Sequence, residues 1–92
     1  MKEATIQTQH PESGKRNKRI SVEKYEIIKA AILEILQNLT PTHTELIDAL
    51  TANLKNSFRD NISWYGMTVK LDLEARKIIV RTSSKPQRYR VK

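Results

Sequence analysis

Arg81, Lys85, Arg88, Arg90 and Lys92 fall within the last twelve residues of the chain, and no acid stands among them. Guanidinium and ammonium groups at this density suit phosphate, because arginine can meet two phosphate oxygens at once and lysine supplies a point charge. A second cluster, Lys15, Arg16, Lys18 and Arg19, lies near the start in the string GKRNKR. Between the clusters the balance reverses. Residues 21–75 hold five basic and eight acidic residues, whereas residues 76–92 hold seven basic residues and no acid. The net charge of +7 is thus concentrated at the two ends. Such asymmetry fits a polyanionic partner, nucleic acid above all. The competing readings are plainer: basic termini aid solubility, and lysine or arginine on an edge strand blocks aggregation.

Other chemistries find little support. There is no cysteine, which removes disulfides, thiolate zinc sites and a cysteine nucleophile, and fits a reducing compartment. His10 and His43 are far apart and define no paired metal site. Ser83 and Ser84 have no base in view, and two glycines in the whole chain make no phosphate loop. No catalytic residue, metal or cofactor is expected. No apolar run reaches membrane-spanning length, and the first residues are too polar for a signal peptide. The expectation is a cytoplasmic protein that is not an enzyme.

Residues 1–19 are polar, contain His10-Pro11 and Ser13-Gly14, and show no apolar period. They read as a disordered basic N-terminal arm that could touch phosphates or a minor groove. Residues 20–92 then form one domain. Ser21 is a candidate N-cap for a helix from Val22 to Leu39, with Tyr25, Ile28, Ile32, Ile35, Leu36 and Leu39 as its core stripe. Thr42 and Glu45 have capping-box spacing and open a second helix, from His43 to about Ser57. Leu46, Ile47, Leu50 and Leu54 face its core, and Phe58 closes it.

The stretch from Ser63 to Arg81 admits two readings. Met67, Val69, Leu71 and Leu73 alternate with polar residues, as in a half-buried strand. As a helix, Ile62, Gly66, Val69 and Leu73 share one face, while Trp64, Met67 and Leu71 form a second apolar patch on the other. Gly66 costs such a helix about 1 kcal/mol against alanine. The strand reading needs a turn at 74–77, where glycine, asparagine and proline are all missing.

From about Thr42 to Lys92 the chain resembles a winged helix-turn-helix domain, on the string Leu73-Glu74-Ala75-Arg76-Lys77-Ile78-Ile79-Val80-Arg81. In that family a recognition helix ends in a leucine, an acid and small or charged residues, often with a glycine, before two aliphatics and an arginine. Here Lys77 stands for the glycine, so it should take a left-handed conformation. The whole chain also resembles small bacterial winged-helix proteins of unknown function that share "W…VKLDLEAR" and a short basic wing. The resemblance implies a mainly α fold with a C-terminal β-hairpin (α+β). Its third helix would run from Trp64 to about Arg76 with Ser63 as N-cap, and its wing would span about 78–92.

On this reading the partner is double-stranded DNA, and the protein is a small transcriptional regulator or nucleoid-associated factor. The wing (Arg81, Lys85, Arg88, Arg90, Lys92) and the arm (Lys15, Arg16, Lys18, Arg19) contact phosphates. Arg59, Tyr65, Thr68 and Lys70 present themselves on or beside the third helix. Lys70 is its only obvious base reader, since groove edges are matched chiefly by arginine, lysine, asparagine and glutamine, while Asp72 and Glu74 repel phosphate. The alternative from another class is a protein–protein interaction module using Trp64, Met67 and Leu71, with a homodimer as one form. RNA binding is a third reading, because charge alone does not separate the nucleic acids.

Overall fold

A computed structural model describes residues 4–92. The chain runs β1 (Thr5–Gln9), β2 (Arg16–Ser21), α1 (Val22–Asn38), α2 (His43–Leu54), α3 (Ile62–Ala75), β3 (Ile79–Arg81) and β4 (Tyr89–Val91). It is an α+β domain of three helices and two separate two-stranded antiparallel sheets, β1–β2 and β3–β4.

The helices start where side chains can satisfy their orphan N–H groups. Ser21 caps α1 by accepting from Lys24 N. Thr42 and Glu45 form the full reciprocal capping box of α2. The cap of α3 is Asn61, which accepts from Trp64 N, and not Ser63. The helix therefore begins two residues earlier than expected, with Ile62 in its first turn. Lys77 leaves α3 at φ 65°, the left-handed exit that the missing glycine demanded. Both α1 and α2 stop short of their expected ends, and Leu39 is an exposed C-cap residue and not core.

Ile28 and Ile32 of α1, Leu46 and Leu50 of α2, and Val69 and Leu73 of α3 are fully buried and form the centre of the core. Gly66 sits where α3 meets α2. A Cβ there would lie 2.8 Å from Ile47 Cδ1 and 3.0 Å from Leu50 Cδ1, so its cost to the helix is balanced by close approach.

The N-terminal segment departs most from expectation. Residues 5–21, expected within or beside a disordered arm, form the β1–β2 hairpin, while residues 1–3 of that arm lie outside the described residues. Ile6 and Ile20 are cross-strand partners, and both join the core. The remaining anchorage is polar. Gln9 N donates to Asp72 Oδ1 at 2.8 Å, Asn17 Nδ2 donates to the Thr68 carbonyl at 2.9 Å, and buried Thr8 donates to the Lys18 carbonyl. A hairpin held this way leaves almost no hydrophobic period in its sequence, which is why composition read it as disorder.

Candidate nucleic-acid interface

α3 lies at the centre of the molecule and does not stand clear of it. It packs on α1, α2, both strands of the first hairpin and β3. Thr68 and Lys70, expected on an open face, are 1% and 5% exposed, and Asp72 is fully buried. Tyr65 is half-buried and meets Phe58 and Trp64 edge-on, at 5.3 and 4.9 Å between ring centroids. The positions expected to enter a groove are thus covered, Thr68 and Asp72 by β1–β2 and Lys70 by His43 of α2 and Tyr89 of β4. Of the α3 apolar patch, Met67 is 43% exposed, while Trp64 is partly buried against the core. Leu71 floors a shallow groove between the first hairpin's loop (His10, Pro11, Glu12) and Arg81. Arg59 is exposed in the turn before α3.

The two burials of charge on α3 have different solutions. Asp72 accepts from Tyr25 Oη at 2.5 Å, from Arg76 Nε at 2.9 Å and from Gln9 N. One carboxylate therefore ties α1, α3 and β1 together. Burial, reinforced by the bond to Asp72, pushes the Tyr25 hydroxyl's pKa far up, so it stays a donor. Lys70 has no carboxylate in ion-pair range among the described residues. Its Nζ lies 3.0 Å from His43 Nδ1, 3.0 Å from Tyr89 Oη and 4.3 Å from the Tyr89 ring centroid. An ammonium only donates, so His43 Nδ1 must accept and carry its proton on Nε2. Burial, with Lys70 beside it, lowers the His43 pKa. The fold brings His43, in the first turn of α2, to Lys70.

The wing pairs Ile79–Arg81 with Tyr89–Val91, strands of three residues each, and it is less free than its sequence implies. Arg81 reaches Glu74 at 3.0 Å, and Arg88 reaches Glu45 at 3.2 Å. The expectation that no acid neutralises these arginines is corrected, since α2 and α3 supply one each. Tyr89 is buried while Val91, one strand position along on the same face, is 39% exposed. Lys85, Arg90 and Lys92 are exposed and form no ion pair among the described residues.

The first hairpin keeps more of its charge available. Lys15 pairs with Glu12 at 2.9 Å. Arg16, Lys18 and Arg19 are exposed and have no carboxylate partner among the described residues. Gln7, Gln9, His10, Lys15, Arg16 and Arg19 line one open groove on the hairpin. Reasoning from sequence missed Gln7 and Gln9. The signal was present in Thr5-Ile6-Gln7-Thr8-Gln9, where partly or fully buried Ile6 and Thr8 alternate with exposed residues.

Among the described residues no histidine and acid cluster could hold a metal, and no helix is long and apolar enough to cross a membrane. The geometry defines an α+β domain with two outlying basic hairpins around a covered central helix. By comparison with known families, residues 5–89 match a family of unknown function, DUF6958, and the chain belongs to it. The matched span takes in β1 and β2 entirely, so the first hairpin is part of the family's domain. No curated protein and no solved structure matches the chain.

Proposed function

We propose that this domain is a non-enzymatic DNA-binding protein, a small transcriptional or nucleoid-associated factor that holds duplex phosphates between its two basic hairpins. The order α1–α2–α3–β3–β4 and the left-handed exit at Lys77 support a winged-helix reading of residues 20–92. The observation that carries the binding proposal is the distribution of uncommitted charge. Arg16, Lys18 and Arg19 on one hairpin, and Lys85, Arg90 and Lys92 on the other, are exposed cations without ion-pair partners among the described residues. The acids lie mostly on α1, α2 and α3. Like charges gathered on small hairpins repel one another unless a polyanion spans them. The covered face of α3 argues that this helix does not read bases.

The test is fluorescence anisotropy of a random-sequence labelled duplex across a salt series. Affinity should fall steeply with salt, and the slope should shrink by roughly one unit for each phosphate contact removed. An absence of binding at low salt, or a slope indifferent to alanine at all six cations, overturns the proposal. Exposed Met67 favours one second reading, a protein partner or second copy docking on α3. A complex that persists at high salt and is lost in Met67→Lys would favour it.

A further inference from the structure

We infer that the outward face of the β1–β2 hairpin is the base-reading element: a two-stranded ribbon that lies in the DNA major groove, with Gln9 and Arg16 as its principal readers. The inference rests on the DNA-binding proposal and adds the element that would give it sequence preference.

The register of the hairpin carries the argument. Thr5 pairs with Ser21, Ile6 with Ile20 and Gln7 with Arg19, but Gln9 pairs with Arg16. From Gln7 to Gln9 the first strand advances two residues, while the second advances three, so Asn17 and Lys18 together stand opposite Thr8. This is a β-bulge, and its consequence is specific. Arg16 and Arg19 are three apart and would point to opposite faces of a regular strand. With the bulge, each stands opposite a glutamine of β1, and Gln7 and Gln9 share one face. Bulges re-aim side chains in this way. Gln7, Gln9, Arg16 and Arg19 accordingly line one groove, while Ile6 and Ile20 turn inward to the core.

The bulge is fastened as well as formed. Asn17 Nδ2 donates both to the Gln9 carbonyl at 3.0 Å and to the Thr68 carbonyl of α3 at 2.9 Å. Gln7 Nε2 donates to the Asn17 carbonyl at 2.7 Å. The Gln9 amide and the Arg16 guanidinium, by contrast, have no side-chain hydrogen bond or ion pair among the described residues. Two uncommitted side chains, an amide and a guanidinium, thus face outward on a rigidly backed ribbon.

These are the groups that read base edges. Arginine pairs bidentately with guanine O6 and N7, and glutamine with adenine N6 and N7. A two-stranded ribbon fits the major groove of B-form DNA, whereas the deep, narrow major groove of duplex RNA does not admit one. Arg19 on this face would meet phosphates at the groove wall.

The experiment uses the full chain and a pool of short DNA duplexes with a randomised centre, bound at physiological salt and sequenced from the bound fraction. The intact chain should enrich a short motif. Gln9→Ala and Arg16→Lys should each erase preference at one position and weaken the selected site roughly tenfold or more. Arg16→Lys keeps the charge, so it separates base reading from phosphate attraction, and circular dichroism confirms that both variants fold. A duplex RNA of the selected sequence should bind without preference. Binding of the pool with no enriched motif, or a motif that survives both substitutions, overturns the inference and leaves the phosphate reading standing. Preference that persists on duplex RNA overturns the major-groove placement. Failure to bind the pool even at low salt removes the DNA-binding proposal and this inference together.

Discussion

The two hairpins are close to equal in the basic residues they display in sequence, yet the fold treats them differently. In β3–β4, Arg81 and Arg88 are each drawn onto a helix carboxylate. Arg88 also donates to the Thr40 carbonyl at 2.9 Å, and Tyr89 N donates to the Pro41 carbonyl at 2.9 Å, fixing the wing to the α1–α2 turn. In β1–β2 the anchorage comes from neutral groups and from Asp72, and Arg16, Lys18 and Arg19 pair with no carboxylate among the described residues, Arg19 donating only to Thr5 Oγ1 at 3.3 Å. Cations counted along a chain are therefore a poor measure of cations available to a partner. The hairpin with the larger number of basic residues, five against four, commits more of its arginines to its own fold.

The strongest way to break this contrast is at the first hairpin's anchor. Asp72→Ala would leave the Tyr25 hydroxyl, the Arg76 guanidinium and the Gln9 amide without their shared acceptor. A buried neutral donor left unsatisfied costs about 1–3 kcal/mol, and two are left here, whereas the Arg76 guanidinium reaches solvent and adds little. Urea denaturation should show that loss. Hydrogen exchange should show β1–β2 opening before α1 and α2 do. Uniform destabilisation with the hairpin still protected would mean that Ile6 and Ile20, and not the carboxylate, hold it.

The second hairpin's anchor should yield a smaller effect. Tyr89→Phe keeps the ring under the Lys70 ammonium and removes only the hydroxyl that accepts from it. A hydrogen bond to a charged group contributes about 1.5–3 kcal/mol. Thermal and urea unfolding of the variant should fall in that range. A loss near zero would show that the ring face and His43 suffice for Lys70.

The same contrast explains what sequence could and could not reveal. Helices α1 and α2 were legible because Tyr25, Ile28 and Ile32, or Leu46 and Leu50, repeat at helical spacing behind clear caps. The helix at Ile62–Ala75 was legible only by weighing its ending against strand alternation, since two apolar faces blur its period. Both faces exist because α3 is packed from several sides. The first hairpin was not legible. Its fastening lies in Thr8, Asn17 and the distant Asp72, and polar contacts across that separation leave no local period. Nor could composition foresee that Thr68 would be covered, because the hairpin over it had itself been read as unstructured, or that Lys70 would be, because its cover comes from His43 and Tyr89, distant in sequence.

A finer comparison is possible within the exposed cations, read from the salt dependence of duplex binding. Lys18→Ala and Arg90→Ala should each reduce the slope by about one unit, as for a lost phosphate contact. Arg81→Ala and Arg88→Ala should reduce it by about half that or less, since Glu74 and Glu45 already hold those guanidinium groups. Equal reductions from all four would mean that the duplex strips the arginines from their carboxylates on binding, and that the two hairpins are equivalent after all.

The smallest expected effect is on pH dependence, and it belongs to the second hairpin alone. His43 Nδ1 accepts from Lys70 at 3.0 Å, so a proton on His43 would place two cations in contact. Facing this pair is Tyr89 of β4, and Arg81 of β3 lies 5.7 Å from the Tyr89 ring centroid. None of these contacts gives His43 a carboxylate to stabilise its charged form. Its folded pKa is lowered, first by burial and then by Lys70. The unfolded chain therefore binds the proton more readily. Stability from this contact is complete above the unfolded histidine value of about 6.5 and is lost as pH falls from there through the lowered folded value. Urea midpoints measured at intervals across that window should decline for the native chain. In His43→Gln, whose amide oxygen can still accept from Lys70, the decline should be shallower. His10, half-buried in the loop of the first hairpin, offers the control: His10→Gln should leave the decline in place. If His10→Gln flattens the curve and His43→Gln does not, the pH sensitivity resides in the first hairpin, and the Lys70 contact has no part in it.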